Sequence, residues 1–297
     1  MIKNRNIALD AGISPSKIAG GIGFHDPRET RYVCGSSSDA YSFLRENVDN
    51  SMLFTTITTA LAASDDFDRI IVYPGDYDEG AVLNITQQGL QLIGPGNQNQ
   101  HQAMILGSAA SHHLVTVNAH NVLIQGLGFT QTTDTYSAII SSTTASYHKL
   151  TVRDCRFDGY GAGEYGVHTG TTYDTPDIVV EDCRFHSWQT AAIYANATRG
   201  VYRRNLIHTV AAKIGIDYVP TTGNRPGSFI YENYILGVNS TDVGIAMVAP
   251  SAGTVHLSNN YVVGAATTIE QFANGQYSGT ENYTSDASGG ALIDIDS

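Results

Sequence analysis

Cysteine is scarce in this 297-residue chain: Cys34, Cys155 and Cys183 are all it has. An odd, sparse set is not a disulfide framework, and with no CxxC pair a cysteine-built zinc site is not expected. Positive charge is scarce too, with 16 Lys and Arg against 28 Asp and Glu and a formal net charge of -12. Sequence-independent binding to DNA or RNA needs a basic surface, so no nucleic-acid partner is expected, and an anionic membrane is disfavoured for the same reason. No apolar run reaches the roughly 18 residues of a membrane span, so no membrane insertion is expected. The opening stretch, MIKNRNIALDAGISPSKIAGG, lacks the apolar core of a secretory signal, and the expectation is a protein made and kept reduced in a cytoplasm. GxSxG, Walker A, HExxH and dinucleotide fingerprints are absent as well. Neither cofactor nor metal is expected.

What is present is a repeat. The segments starting at Val122, Leu150, Ile178, Val201 and Phe229 align at offsets of 28, 28, 23 and 28 residues. Within a copy the apolar parity flips: Leu150 and Val152 alternate as one strand face, then Cys155 and Phe157 alternate in the opposite parity. The break falls at Asp154, whose counterparts are predicted to be Gly126, Asp182, Asn205 and Asn233. Gly, Asn and Asp tolerate a left-handed backbone, so one such residue turns a corner while both flanking strands keep their apolar residues inward. A second ladder follows, in which Ile139, Val167, Ile193, Ile216 and Ile245 point inward. Each turn thus holds at least three short strands, and successive turns pair in parallel about 4.8 Å apart. The pattern predicts an all-β fold, a single-stranded parallel β-helix.

Residues 51–297 form this β-helix domain. The stretch from Phe54 to Leu61 reads as a short capping helix, because an open solenoid end exposes strand edges. The stretches Arg69–Tyr77 and Leu90–Gly94 read as the first turns, and the acidic tail as a C-terminal cap. Residues 1–50 do not follow the repeat and are predicted to form an arm with too few apolar residues to fold alone.

Several polar positions recur outward. Arg153, Glu181, Arg204 and Glu232 alternate in sign and read as a structural charge ladder, each neighbouring pair worth about 0.2–1 kcal/mol. His168, Tyr194 and Asp217 take one outward position on three consecutive turns. A histidine, a phenol and a carboxylate on one wall suit general acid–base work on a sugar. At two rungs, about 9–10 Å, His168 and Asp217 lie beyond direct hydrogen-bond reach, and a solvated polar ladder explains the same residues without catalysis. Cys155 and Cys183 read as small hydrophobes stacked inward. His208 stands where the repeat has a core Phe, and His112 and His113 precede a strand; all three read as structural.

The order TTITTAL, RIIVYPGDYDEG, LQLIGPG (residues 55–61, 69–80 and 90–96) resembles the opening of pectate-lyase-like right-handed parallel β-helix proteins. The resemblance implies a right-handed coil with its cap and first turn there. It says little of function, because enzymes and inert fibres share the fold. Relatives of this kind hold calcium with clustered carboxylates, for which Asp154, Asp158, Glu164, Asp174, Asp177 and Asp182 are the acids on hand. A pectin methylesterase-like site would want paired aspartates and an arginine on the parallel-strand face, and the sequence places no such set.

The leading stretch MIKNRNIALDAGISPSKIAGGIGF resembles the N-terminal arm of phage virion proteins that carry a β-helix behind it. The resemblance implies a bacteriophage structural protein, a capsid decoration or head-fibre protein made in the host cytoplasm and residing in the virion. Ile7, Ile13, Lys17, Ile18 and Ile22 would then attach it to the major capsid protein or another virion protein, and the coil would associate with itself as a homotrimer. Two alternatives stand beside this: a tailspike-like depolymerase cleaving a host surface glycan through His168, Tyr194 and Asp217, or a carbohydrate-binding adhesin.

Overall fold

A computed structural model describes residues 28–96, 103–107, 112–141, 145–169, 175–210, 213–219, 227–237, 242–247, 255–265, 267–270, 277–280, 282–285 and 293–294. The strands sort into three sheets of 11, 10 and 8 strands, and strands of the same sheet recur at every third place in chain order. Apart from the antiparallel closure of Ile293–Asp294 on Tyr283 and Thr284, the pairings are parallel. This is a parallel β-helix, as the period predicts.

Three inward columns fill the coil. The first sheet contributes Leu92, Ile124, Val152, Val180, Tyr202, Ile230 and Leu257. The second contributes Ile105, Phe129, Phe157, Phe185, Ile207, Ile235 and Val262. The third contributes Val115, Ile139, Val167, Ile193, Ile216 and Ile245. All are buried in one continuous core. Phe129, Phe157 and Phe185 stack face to face at 5.0 and 4.7 Å, so a change of one ring is felt by both neighbours.

The register corrects the repeat at one point. Val180 pairs with Tyr202, and Glu181 with Arg203, 22 residues on, rather than at the offset of 23 predicted from sequence. A slip of one residue reverses every facing that follows it. The left-handed corner therefore runs through Gly126, Asp154, Asp182, Arg204, Glu232 and Asn259, all with φ between 53° and 68°. Asn205 and Asn233, predicted at this corner, sit one residue later and point into the coil. Arg204 holds its strained backbone by a two-pronged contact with Asp182 at 2.8 and 2.6 Å. The outward charge column is likewise Arg153, Glu181, Arg203 and then Tyr231; Arg204 and Glu232 stand at the corner instead, where Arg204 still pairs with Glu181 at 3.1 Å. Arg203 pairs with Glu181 at 2.6 Å, whereas Arg153 donates to Gln125 at 2.8 Å. The same slip takes His208 out of the core: Ile207 follows Phe185 inward, and His208 stacks on His186 outside, ring centres 5.0 Å apart.

A second left-handed column, not predicted, precedes the strands of the first sheet from Arg69–Val72 to Ser228–Tyr231: Phe67, Gly89, Asn121, Lys149, Asp177, Arg199 and Gly227, with φ of 54–84°. Here too an ion pair spans adjacent turns, Arg199 to Asp177 at 2.7 and 3.0 Å.

The N-terminal end is capped more extensively than the sequence suggests. Helix Ile57–Ala62, with Thr56 as its N-cap, buries Ile57, Ala60 and Leu61 over the first turn, as predicted. Residues 28–50, however, belong with the coil rather than with an arm. Thr30–Val33 pairs in register with Arg69–Val72 inside the first sheet, and helix Asp39–Asn47 follows it, capped by Ser38. Asp68, fully buried, accepts from the Arg31 guanidinium and from the backbone of Glu29 and Asp65, which ties this strand to the turn before Arg69. Ile7, Ile13, Lys17, Ile18 and Ile22 lie outside the described residues.

Candidate functional site

The third sheet is built differently from the other two. From Ala138 to Ile245 each of its described turns places two consecutive residues inward. Val167 faces the core, and so does Gly166, where an added Cβ would lie 2.6 Å from the Phe185 ring. Ala192 and Ile193 are both core residues one turn on. After them come Gly215 and Ile216, where a Cβ on Gly215 would meet Ile235 at 2.8 Å. Only a very small side chain fits the first of each pair. Two inward residues in succession bend the strand, so the outward residues on either side lean together. Tyr165 and His168 show the result: three residues apart in an extended strand they would stand on opposite faces about 10 Å apart, yet their ring centres are 4.7 Å apart.

The bend brings two outward columns of side chains, the walls of this face, into contact along the coil. One wall carries Tyr165, Ala191 and Ile214 on consecutive turns, and the other carries His168, Tyr194 and Asp217. The three predicted residues of the second wall are thus in register on neighbouring turns. Tyr165, on the opposite wall, was not predicted; it becomes legible only once the Gly166–Val167 pair is recognised as a bend. Tyr194 lies edge-on to His168 at 4.8 Å and tilted to Tyr165 at 5.2 Å, and Ile214 and Val219 pack on this satellite cluster. Thr169 fixes the height of the second wall by donating to the Tyr194 carbonyl at 2.9 Å.

The electrostatics follow from burial. His168 is 9 % exposed, and neither ring nitrogen has a hydrogen-bond partner among the described residues. Burial, with a smaller contribution from nearby His113, lowers its pKa to about 4, so the ring is neutral at physiological pH. Burial raises the Tyr165 phenol further above its ordinary value, and Glu164, Asp217 and Tyr194 push in the same direction. Burial also raises the Glu164 carboxyl. His113 extends the first wall two turns back, where its Nδ1 accepts from the Ser137 backbone at 3.0 Å and its ring meets Tyr136 edge-on at 5.5 Å.

Among the described residues no group of three or more His, Cys, Asp or Glu side chains converges as a metal site. Asp154, Asp177 and Asp182 take up left-handed corners, and Asp174 lies outside the described residues. Nor do the six wall positions carry paired aspartates and an arginine: they hold one carboxylate, Asp217, and no lysine or arginine.

No protein-family model matches the chain, and neither does any curated protein. Solved structures do match in fold. A pectin methylesterase mutant in complex with a hexasaccharide superposes with a TM-score of 0.61 at 14 % identity, covering 92 % of both chains. The pectin methylesterase from Aspergillus niger gives 0.62 at 16 %, over 91 % of this chain and 93 % of its own. Pectin methylesterase PemA from Erwinia chrysanthemi gives 0.60 at 14 %, over 91 and 92 %. At such identity the likeness shows the fold, a parallel β-helix of the kind found in carbohydrate-active enzymes, and stops there.

Proposed function

We propose that the protein binds polysaccharide on the outer face of its third sheet. The observation that carries this reading is the Tyr165–His168–Tyr194 cluster, an aromatic group packed on the outside of the coil whose histidine has two nitrogens unmet among the described residues. An unsatisfied buried polar atom costs about 1–3 kcal/mol, and a sugar hydroxyl is a group that relieves it. Aromatic faces beside well-placed polar atoms suit the apolar and hydroxyl faces of a pyranose. The fold supports the same reading, since a neighbour of this fold was solved with a hexasaccharide. The test is a glycan array with the intact protein and His168→Phe: the substitution keeps the aromatic surface but should abolish or redirect binding. An array blank for both proteins would sink the proposal.

Polysaccharide cleavage, in the manner of a tailspike depolymerase, is the second reading. Asp217 on the turn next to Tyr194 favours it. The tuning of the neighbours opposes it. Acid–base catalysts work best with a pKa near the working pH, whereas His168 is pushed to about 4 and Tyr165 above its ordinary range. Release of reducing ends or unsaturated sugars, lost in Asp217→Asn, would establish turnover.

The virion reading rests on the arm's resemblance and is independent of the aromatic cluster. We propose that residues 1–27 attach the β-helix to a phage particle and that the coil serves there as a surface-exposed glycan binder. A version lacking residues 1–27 should keep its glycan binding and lose incorporation into particles.

A further inference from the structure

The outer face of the second sheet changes character along the coil. One outward position reads Arg156, Arg184, Leu206, Tyr234 and Tyr261 on five consecutive turns, each paired with the next. Two residues on, the same strands turn Asp158, His186, His208, Leu236 and Val263 outward. Asp158 is the one carboxylate among these positions, 3.6 Å from Arg156 and 3.5 Å from His186. Arg184 is exposed and has no carboxylate partner among the described residues. It stands about 4.8 Å from Arg156 on the adjacent rung, and like charges directly opposite across two strands destabilise a sheet. At the other end Tyr234 and Tyr261 are 44 % and 38 % exposed, and Tyr283 on the next turn stacks on Tyr261 at 5.1 Å. One end of the face thus offers guanidinium groups and the other offers open aromatic rings.

From this arrangement we infer that the face is self-complementary and joins two copies of the chain as a two-fold dimer with antiparallel coils. The inference is independent of the polysaccharide reading. A two-fold axis along the Leu206–His208 strand keeps the strand direction and reverses the order of the turns. It sets Leu206 against Leu206 of the second copy, Arg184 against Tyr234 and Arg156 against Tyr261. By symmetry each guanidinium of the column meets a ring, and each exposed ring meets a guanidinium. One turn further out, Gly128 falls opposite Tyr283 and leaves room for its ring. Arginine and tyrosine attract through the ring quadrupole, more strongly as water leaves the contact. The chain makes the same pair within its first sheet, where the Arg203 guanidinium lies 5.8 Å from the centre of the Tyr231 ring. A closed two-fold contact uses one patch on both partners, and tyrosine and arginine are enriched in such patches. Each copy carries a formal net charge of -12, yet this face holds two arginines against one aspartate, so approach here does not set acid on acid. The axis also brings His208 to His208. Burial, with His186 nearby, lowers the pKa of that ring, so the two meet uncharged at neutral pH.

Sedimentation velocity of the full chain, from about 1 to about 100 µM, tests this. The expected result is a monomer–dimer equilibrium. Tyr234→Arg places like charge against Arg184 across the axis and should weaken the dimer by about a hundredfold. Arg184→Tyr and Tyr234→Arg together, in one chain, restore the pairs in reverse order and should bring the dimer back to within about tenfold of the parent. That recovery separates a lost contact from a damaged fold. Leu206→Cys gives an independent reading, because the three native cysteines are buried. Facing sheets lie about 10 Å apart, so a short bismaleimide should join two copies through this residue. A chain that stays monomeric throughout, or that sediments as a trimer, overturns the proposal. A dimer untouched by Tyr234→Arg, or one that the bismaleimide fails to join, overturns the face and axis assigned to it. No recovery in the exchanged chain overturns the arginine–tyrosine pairing.

Discussion

Inside the corner between the first and second sheets one column of side chains runs along the coil and changes character halfway. Its early members are Leu127, Cys155 and Cys183; its later ones are Asn205, Asn233, Asn260 and Asn282. Each asparagine donates to the next one's side-chain oxygen at 2.8–3.0 Å for the first three members. Each also donates to a first-sheet carbonyl one turn back, at Val180, Tyr202, Ile230 and Leu257, at 2.9–3.2 Å. The side-chain oxygens accept from the backbone N–H of Cys183, Asn205, Asn233 and Asn260 at 3.1–3.2 Å. The cysteines make a weaker version of the same contacts, their thiols directed at the carbonyls of Ile124 and Val152 at 3.8 and 3.7 Å. Bulk compensates: the small thiols accompany the Phe129–Phe157–Phe185 stack, and the longer asparagines accompany Ile207, Ile235 and Val262. The same backbone problem is thus solved by apolar packing in one half and by hydrogen bonding in the other. The two solutions respond differently to damage, because a lost methylene leaves a gap while a lost amide leaves several buried groups unpaired.

The sharpest way to break this comparison is Asn233→Ala. It strands the Asn205 amide, the Asn205 N–H and the Tyr202 carbonyl together, and should cost about 4 kcal/mol in urea unfolding. A loss below about 1 kcal/mol would mean that the amide ladder contributes no more than packing does.

The unpaired His168 outside the coil is the counterpoint to the fully paired asparagines within it, and it predicts a pH dependence. Its folded pKa is near 4, below its ordinary 6.5. As pH falls through 6.5 the unfolded chain takes up a proton that the folded protein refuses, so stability declines between about pH 6.5 and 4 and levels off below. The decline amounts to at most about 3 kcal/mol. Unfolding midpoints measured across that range should slope less steeply in His168→Phe than in the parent, the remainder coming from His113 and His208, which burial lowers in the same way; equal slopes in both would reject the assignment.

Cys183→Ala, in the apolar half, should cost only about 1 kcal/mol by thermal unfolding. Burial, together with its contact to Cys155, holds the Cys183 thiol well above its ordinary pKa, so it should also resist alkylation in the native protein. Cys183→Asn sharpens the comparison further. It offers the Val152 carbonyl a stronger donor but sets a longer side chain beside the Phe157–Phe185 stack, so it should be tolerated only in combination with Phe185→Ile. Last, Glu232→Gly relieves a left-handed backbone at φ 57° and should gain roughly 0.5–1 kcal/mol.

The period, the parity switch and the facing of His168, Tyr194 and Asp217 are legible in the sequence because a strand repeats its side-chain direction every two residues. The asparagine ladder is not. Arg204 and Asn205 both stand at the switch, and local backbone preference favours Asn for the left-handed position. The actual choice is made by the neighbouring turns, whose amides pair only if Asn205 faces inward. Asn259 and Asn260 side by side hold the clue, since one fills the corner and the other the ladder. Tyr165 escapes notice for a related reason: strict alternation conceals a strand that turns two successive residues inward. Thr30–Val33 escapes because a single strand at the end of a coil has no repeat to betray it.

The amide ladder also bears on how the chain assembles. A rung is complete only when the following turn is in place, because each side-chain oxygen serves the N–H of the turn before it. The later half of the coil therefore behaves as a one-dimensional zipper whose links close in sequence, and its loss begins at the exposed end and travels inward. The early half, held by interlocked rings, gains its cohesion before any zipper exists and gives that propagation a place to start.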